Sequence, residues 1–225
     1  NGIRTHFWEM GAGKPLLLIH GGGAGADAWG NWKEVLPLFS KTFKVFALDM
    51  IGFGKTDKPD PDQVEYSTET RVNHILGFIE KLQLESVSLI GNSMGGVAAI
   101  GASLKTSKVE KMILIGSPGI KYERSKAIAS IREFELTREK MRAMVDHLTS
   151  DSYDVDEELI DYRMKMMEQP GAMAAYKATM QWIEDQGGLY FPEEDLCRVD
   201  IPTLIVNGKE DKVIPPEVAW KLSQT

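Results

Sequence analysis

The sequence holds little that would tie it to a membrane, to nucleic acid or to an oxidising compartment. One cysteine, Cys197, in 225 residues excludes an internal disulfide and suits a reducing cytoplasm. The four histidines are scattered and form no zinc-like cluster with it, so no metal centre is expected. No apolar run approaches the roughly 18 residues that span a bilayer. Lys and Arg number 26 against 33 Asp and Glu, and the net charge is −7. Nucleic acid and anionic membrane both select for the opposite sign, so neither is expected as a partner. The opening "NGIRTHFWEM" lacks both the charged and apolar regions of a signal peptide and an initiator methionine, which predicts a cytoplasmic protein with a trimmed start. What is present is 43% hydrophobic residues, enough for one substantial core.

Those residues fall into short runs: "PLLLIH" (15–20), "KVFALDM" (44–50), "SVSLIGN" (86–92), "KMILIGS" (111–117) and "IPTLIVNG" (201–208). Each is nearly continuous and bounded by Gly, Pro, Asn or Asp. Such runs predict strands buried on both faces of a parallel sheet. Amphipathic helical stretches over 30–40, 68–83 and 94–106 separate several of them, and strand–helix alternation gives an open α/β sheet. "IRTHFWEM" alternates, as an antiparallel edge strand does. Residues 121–190 break the alternation with about three or four helices and no strand. This divides the chain into a core over 1–120, a helical lid over 121–190, and a second part of the core over 191–225. An inserted block of this kind covers the sheet end where ligands bind. Its Met, Trp and Tyr residues suit an apolar pocket wall, and Trp182, Met166 and Met180 are candidates, although core packing places the same residue types there.

Three motifs carry chemistry. "GNSMG" (91–95) has the form G-x-S-x-G. By itself this is an ordinary glycine turn. Here it follows a strand and precedes a helix, the setting of a strained elbow that lifts Ser93 above the sheet at a helix N-terminus. "IHGGGAG" (19–25) lets backbone amides approach a ligand closely. Acyl transfer needs two donors where negative charge develops: one from Gly22 or Gly23, the other from Met94. A phosphate loop would carry a lysine or open a helix, and "GGGAGADAWGNW" has no lysine. His20 reads as a structural residue bonding that loop. "NGKEDKVIPP" (207–216) places Glu210 and Asp211 in a loop after a strand, and the spacing from Gly208 favours Asp211 as the carboxylate that orients an imidazole.

Together, "HGGGAGADAWGNW", "DMIGFGKTDKPD", "GNSMGG", "TMQWIEDQGGLY" and "GKEDKVIP" resemble the α/β-hydrolase superfamily over essentially the whole chain. They resemble most closely its meta-cleavage product hydrolases, and among those the carbazole-pathway type. The resemblance implies an α/β-hydrolase fold, a mostly parallel sheet flanked by helices with an inserted helical lid. It also implies hydrolysis of a carbon–carbon bond in 2-hydroxy-6-oxo-hexa-2,4-dienoates from aromatic degradation, no cofactor, a small-molecule dienoate as partner, and assembly as a homo-oligomer, a dimer or larger. By motif, it makes Ser93 the nucleophile and Asp211 the acid. It places Asn31 and Asn92 near the substrate's enol and carboxylate end, and Arg163 on that carboxylate. The plain alternative for Arg163 is a solvent ion pair with Glu158.

The order of the triad on this fold is serine, acid, histidine. The resemblance sets the histidine about 25 to 30 residues past the acid, and the sequence stops at Thr225. His6, His20, His74 and His147 all precede Asp211. The expectation is therefore a piece of an active hydrolase trimmed at both ends, with the fold's last strand, last helix and catalytic histidine outside it. The alternatives are a carboxylesterase, which shares serine, acid and oxyanion loop, and a non-catalytic receptor or inactive fragment that binds without turnover.

Overall fold

The computed structural model describes residues 2–123 and 127–225. Residue 1 and residues 124–126, near the start of the expected helical lid, lie outside the described residues. The strands are β1 (Phe7–Met10), β2 (Lys14–Ile19), β3 (Phe43–Leu48), β4 (Val87–Asn92), β5 (Val109–Ile115) and β6 (Thr203–Val206). They form one six-stranded sheet in the order β1-β3-β2-β4-β5-β6. Only β1 runs antiparallel, with Phe7 opposite Leu48. The nearly continuous apolar runs follow from burial on two faces. Leu17, Ile19, Phe46, Leu48 and Leu89 pack into the larger core. Their alternates Leu16, Leu18, Val45, Ala47 and Ile90 pack on the other side with Ala28, Trp32 and Leu36. Among the described residues β6 pairs only with β5, and Leu204 is 56% and Val206 42% exposed.

The helices in the first half are α1 (Ala28–Trp32), α2 (Leu36–Phe39), α3 (Thr68–Lys81) and α4 (Met94–Ser103). The single helix expected over 30–40 is two short ones. Pro37 stands in the first turn of α2, where a missing N–H costs nothing. One turn further into a continuous helix it would clash with the preceding carbonyls. The helix α3 starts where Ser67 accepts from the Thr70 amide at 3.1 Å, a side-chain cap for an orphan donor. Between β5 and β6 come α5 (Ala127–Arg132), α6 (Arg138–Leu148), α7 (Glu157–Met167), α8 (Ala172–Asp185) and α9 (Glu193–Leu196), and α10 (Pro216–Leu222) follows β6. From this helical block, Met141, Met144, Ile160, Met167, Tyr176 and Met180 join the core cluster that includes β2 and β4. No helix among the described residues is long and apolar enough to cross a membrane.

Candidate active site

The turn between β4 and α4 is set by close backbone packing. A Cβ on Gly91 would lie 2.5 Å from Gly95 O, and one on Gly95 would lie 2.4 Å from the carbonyl oxygens of Ile19 and His20. Only glycine lets α4 sit so near β2 and β4. Ser93 between them has φ 51° and ψ −120°, a left-handed conformation that costs a non-glycine residue about 1–3 kcal/mol. The surroundings hold it there. Its amide donates to Ile115 O at 2.9 Å, and its carbonyl accepts from Ser117 Oγ at 3.1 Å.

The loop after β2 faces this turn. His20 is fully buried. Its Nδ1 donates to Gly21 O at 2.6 Å, and its Nε2 accepts from the Met50 amide at 2.9 Å. Those partners require the neutral imidazole, and burial lowers its pKa in the same direction. His20 therefore ties the loop to the end of β3 and is no base. Asn31 Oδ1 accepts from the Gly21 amide at 3.1 Å. Beyond that point, the amides of Gly22, Gly23 and Met94 meet no acceptor among the described residues, so they are free to bind an oxyanion.

Asp211 lies in the loop between β6 and α10. Its Oδ1 accepts from the amides of Val213 at 2.9 Å and Ile214 at 2.8 Å. Its Oδ2 comes within 3.2 Å of the Cβ position of Gly116, at the end of β5. One oxygen is thus anchored by two amides, and Asp211 lines the same cavity as Ser93. The adjacent Glu210 is exposed and pairs with Lys209 at 3.8 Å, and it does not line the cavity that Asp211 lines.

A cavity of about 380 Å³ joins these elements. It is lined by Gly22, Gly23, Asn31, Asn92, Ser93, Met94, Arg163 and Asp211, and on its apolar side by Ile131, Val145, Leu159, Met180, Ile183 and Leu189 among others. Asn92 is partly committed, since its Nδ2 donates to Ile115 O at 3.1 Å. The Arg163 guanidinium turns inward rather than toward Glu158, and its Nη1 donates to Ala24 O at 2.8 Å. Burial pulls its pKa down, while Asp27, Tyr176 and Tyr162 pull it back up. A guanidinium carries five N–H donors, and Arg163 lines the cavity beyond this one contact. Trp182 is a correction. It stands half-buried on α8 outside the cavity lining, while its neighbours Met180 and Ile183 line it, because successive helical positions are turned about 100° apart. Met166 is also buried away from the cavity.

None of the four histidines lines this cavity. His6 pairs with Asp49 at 2.8 Å, and His74 is held by the Ile51 amide at 3.2 Å and Thr5 Oγ1 at 2.8 Å. His147 lies on α6 beside the lining residues Val145 and Leu148. Two residues that build the site were missed in the sequence, Asp27 and Tyr162. The pattern "DAWG" does signal Asp27 as a helix cap, and its Oδ1 accepts from the Gly30 amide at 2.7 Å. Nothing local signals that Tyr162 Oη donates to its other oxygen. Among the described residues, no group of His, Cys, Asp and Glu could hold a metal ion.

Residues 14–225 match the alpha/beta hydrolase fold family. Over 222 residues the chain is 42% identical to 2-hydroxy-6-oxo-6-(2'-aminophenyl)hexa-2,4-dienoic acid hydrolase of Metapseudomonas resinovorans, covering 98% of this chain and 76% of that protein. Over 229 residues it is 32% identical to 2-hydroxy-6-oxo-2,4-heptadienoate hydrolase of Pseudomonas putida, covering 99% and 81%. Among solved structures it is similar to a serine hydrolase involved in carbazole degradation, the CarC enzyme, with a TM-score of 0.89 and 41% identity over 99% of this chain and 82% of that one. It is also similar to the meta-cleavage product hydrolase CumD of Pseudomonas fluorescens IP01 complexed with acetates, with a TM-score of 0.91 and 32% identity over 99% and 82%.

Proposed function

This chain belongs to the alpha/beta hydrolase fold family and within it to the meta-cleavage product hydrolases, and on that premise we propose how its residues serve hydrolysis of a carbon–carbon bond in a 2-hydroxy-6-oxo-hexa-2,4-dienoate. The observation that carries the reading is one cavity in which Ser93, Asp211, the free amides of the glycine loop and the Arg163 guanidinium meet.

Arg163 pairs with the dienoate carboxylate, a charge-assisted contact in a half-buried setting. Asn31, with its amide nitrogen free beyond the loop contact, and Asn92 donate to the enol oxygen. The carbonyl at C6 then lies over Ser93, and the C6 substituent lies among the apolar residues of the helical block. The diene ketonises, and Ser93 Oγ adds to the C6 carbonyl as its proton leaves. The amides of Met94 and of Gly22 or Gly23 hold the oxyanion. The C5–C6 bond breaks, the carbanion-like fragment takes up a proton as 2-hydroxypenta-2,4-dienoate, and water releases the acid from the acyl-enzyme. The helices α5 to α8 act as a lid over this chemistry.

The proton from Ser93 needs an imidazole beside Asp211 Oδ2; His6, His20 and His74 are held elsewhere, and His147 does not line the cavity. These 225 residues are therefore expected to bind the dienoate and not to turn it over. The test is to mix the chain with coloured 2-hydroxy-6-oxo-6-phenylhexa-2,4-dienoate and follow its absorbance. A shifted spectrum that persists is the expected result. An unshifted spectrum contradicts the clamp, and rapid bleaching shows that another residue serves as base.

A further inference from the structure

We propose that Asp27 and Tyr162 form a positioning pair that docks α7 on the glycine loop and so sets the Arg163 guanidinium in the cavity. The inference rests on the reading of Arg163 as the carboxylate clamp.

Three contacts, all within two consecutive turns of chain on the loop side, fasten α7 down. Gly25 has φ +71°, and a Cβ there would lie 2.4 Å from Arg163 O and 2.8 Å from Arg163 Cα, so the helix backbone rests directly on this glycine. Arg163 Nη1 donates to Ala24 O at 2.8 Å. Between them, Tyr162 Oη donates to Asp27 Oδ2 across 135 residues of sequence. Asp27 is 4% exposed, and its two oxygens are divided between its own helix cap and Tyr162. The Tyr162 ring stands 3.3 Å from the Cβ position of Gly30, so the ring packs closely on α1.

The chemistry of this pair fits positioning rather than binding. Neither Asp27 nor Tyr162 lines the cavity. Asp27 supports the Arg163 charge through space without pairing with it directly, so the guanidinium stays charged and its outer donors stay open for a ligand. A direct Asp27–Arg163 salt bridge would compete with the substrate. Passing the carboxylate to a neutral phenol avoids that competition. Burial and the Asp27 hydrogen bond raise the Tyr162 pKa, which keeps the phenol a donor throughout the working range of pH.

The test measures the affinity of 2-hydroxy-6-oxo-6-phenylhexa-2,4-dienoate and of its methyl ester, the same chromophore without the charge, for wild type, Tyr162→Phe, Asp27→Asn, Arg163→Ala and Tyr162→Phe/Arg163→Ala. Loss of a buried hydrogen bond to a charged group corresponds to about tenfold in affinity. Tyr162→Phe is expected to weaken dienoate binding by about tenfold and to leave the ester unchanged. Asn at position 27 still caps α1 and should show the same selectivity. The double variant should bind like Arg163→Ala alone, because a positioning pair acts through the arginine. Equal losses on both ligands, or additive losses in the double variant, overturn the proposal and leave a general stabilising contact. Hydrogen exchange of the α7 amides provides a readout that needs no ligand. Tyr162→Phe should speed exchange over residues 157–167 and leave α3 protected. If wild type binds neither ligand, the clamp reading fails, and unchanged α7 exchange in Tyr162→Phe separately refutes the docking pair.

Discussion

Around Ser93 the chain is held backbone against backbone, and in the helices above it by side chains that reach across the sequence. At the elbow, a methyl group on Gly95 would overlap two carbonyl oxygens at 2.4 Å. Sterics exclude side chains at Gly91 and Gly95, and one hydroxyl, that of Ser117, caps the Ser93 carbonyl. The helical block is attached through pairs: Tyr162 to Asp27, Arg163 to Ala24 and Thr179 to Arg71. Arg71 shows the cost of that strategy. It is 1% exposed, burial brings its pKa down to about 10, and its Nη2 is satisfied by Tyr66 O and Thr179 Oγ1 at 2.9 Å each. Its Nε and Nη1 have no partner among the described residues. Close backbone packing makes a rigid floor, whereas polar pairs make a cover that one substitution can loosen locally. An active site needs the first beneath the nucleophile and can tolerate the second over the ligand.

Four experiments sharpen or break this contrast. The largest effect is expected from Gly95→Ala, because the atoms it would strike are the backbone oxygens of Ile19 and His20 and cannot rotate away. Destabilisation of about 3 kcal/mol or more is expected in urea unfolding, and a loss below about 1 kcal/mol would mean the elbow is softer than its spacing implies. Next is the pH dependence of the rigid half. Burial, followed by the nearby His20, lowers the His74 pKa to about 4, and its Nδ1 must stay unprotonated to accept from Ile51. The unfolded chain takes up this proton first, near pH 6.5. Stability is therefore full above about pH 6.5 and falls as pH drops toward 4, by up to about 3 kcal/mol. His74→Asn should flatten that slope in unfolding curves taken at successive pH values, and an unchanged slope would assign the loss to other groups.

In the cover, Arg163→Ala is expected to weaken dienoate binding by roughly 30-fold, about 2 kcal/mol, with the unfolding midpoint little changed. Equal loss for the methyl ester would point to a packing role for the long side chain. The smallest effect is expected at the outer surface of the block. Glu157 bridges Arg138 and Arg142 there, but all three side chains are substantially exposed, so Glu157→Gln should cost about 0.5 kcal/mol and less in high salt. A cost several times larger would show that surface pairs, and not only the buried ones, hold the cover in place.

The two halves also differed in how legible they were. β2, β3, β4 and β5 could be read as strands to within about two residues because an apolar run between turn residues is a local pattern. The elbow was legible for a similar reason, since Gly91, Ser93 and Gly95 lie within one turn. The split of α1 from α2 was also written locally, in Pro37, but the amphipathic pattern across it hid the break. Residue type alone makes Trp182, Met166 and Met180 equal candidates for the cavity wall, and the rotation of the helices brings only Met180 of the three there.

By itself, then, the sequence determined the alternation of strands and helices, the strained serine turn, the glycine loop and the acidic loop after β6. Each depends on neighbours a few residues apart, where backbone sterics and side-chain period leave few choices. Only the tertiary structure decided that Arg163 turns from Glu158 to Ala24, that Tyr162 meets Asp27, and which face of α8 looks into the cavity. Those contacts join residues more than a hundred positions apart, such as Asp27 and Tyr162. They exist only once a whole helix has docked at one rotation and height, and no local periodicity encodes that placement.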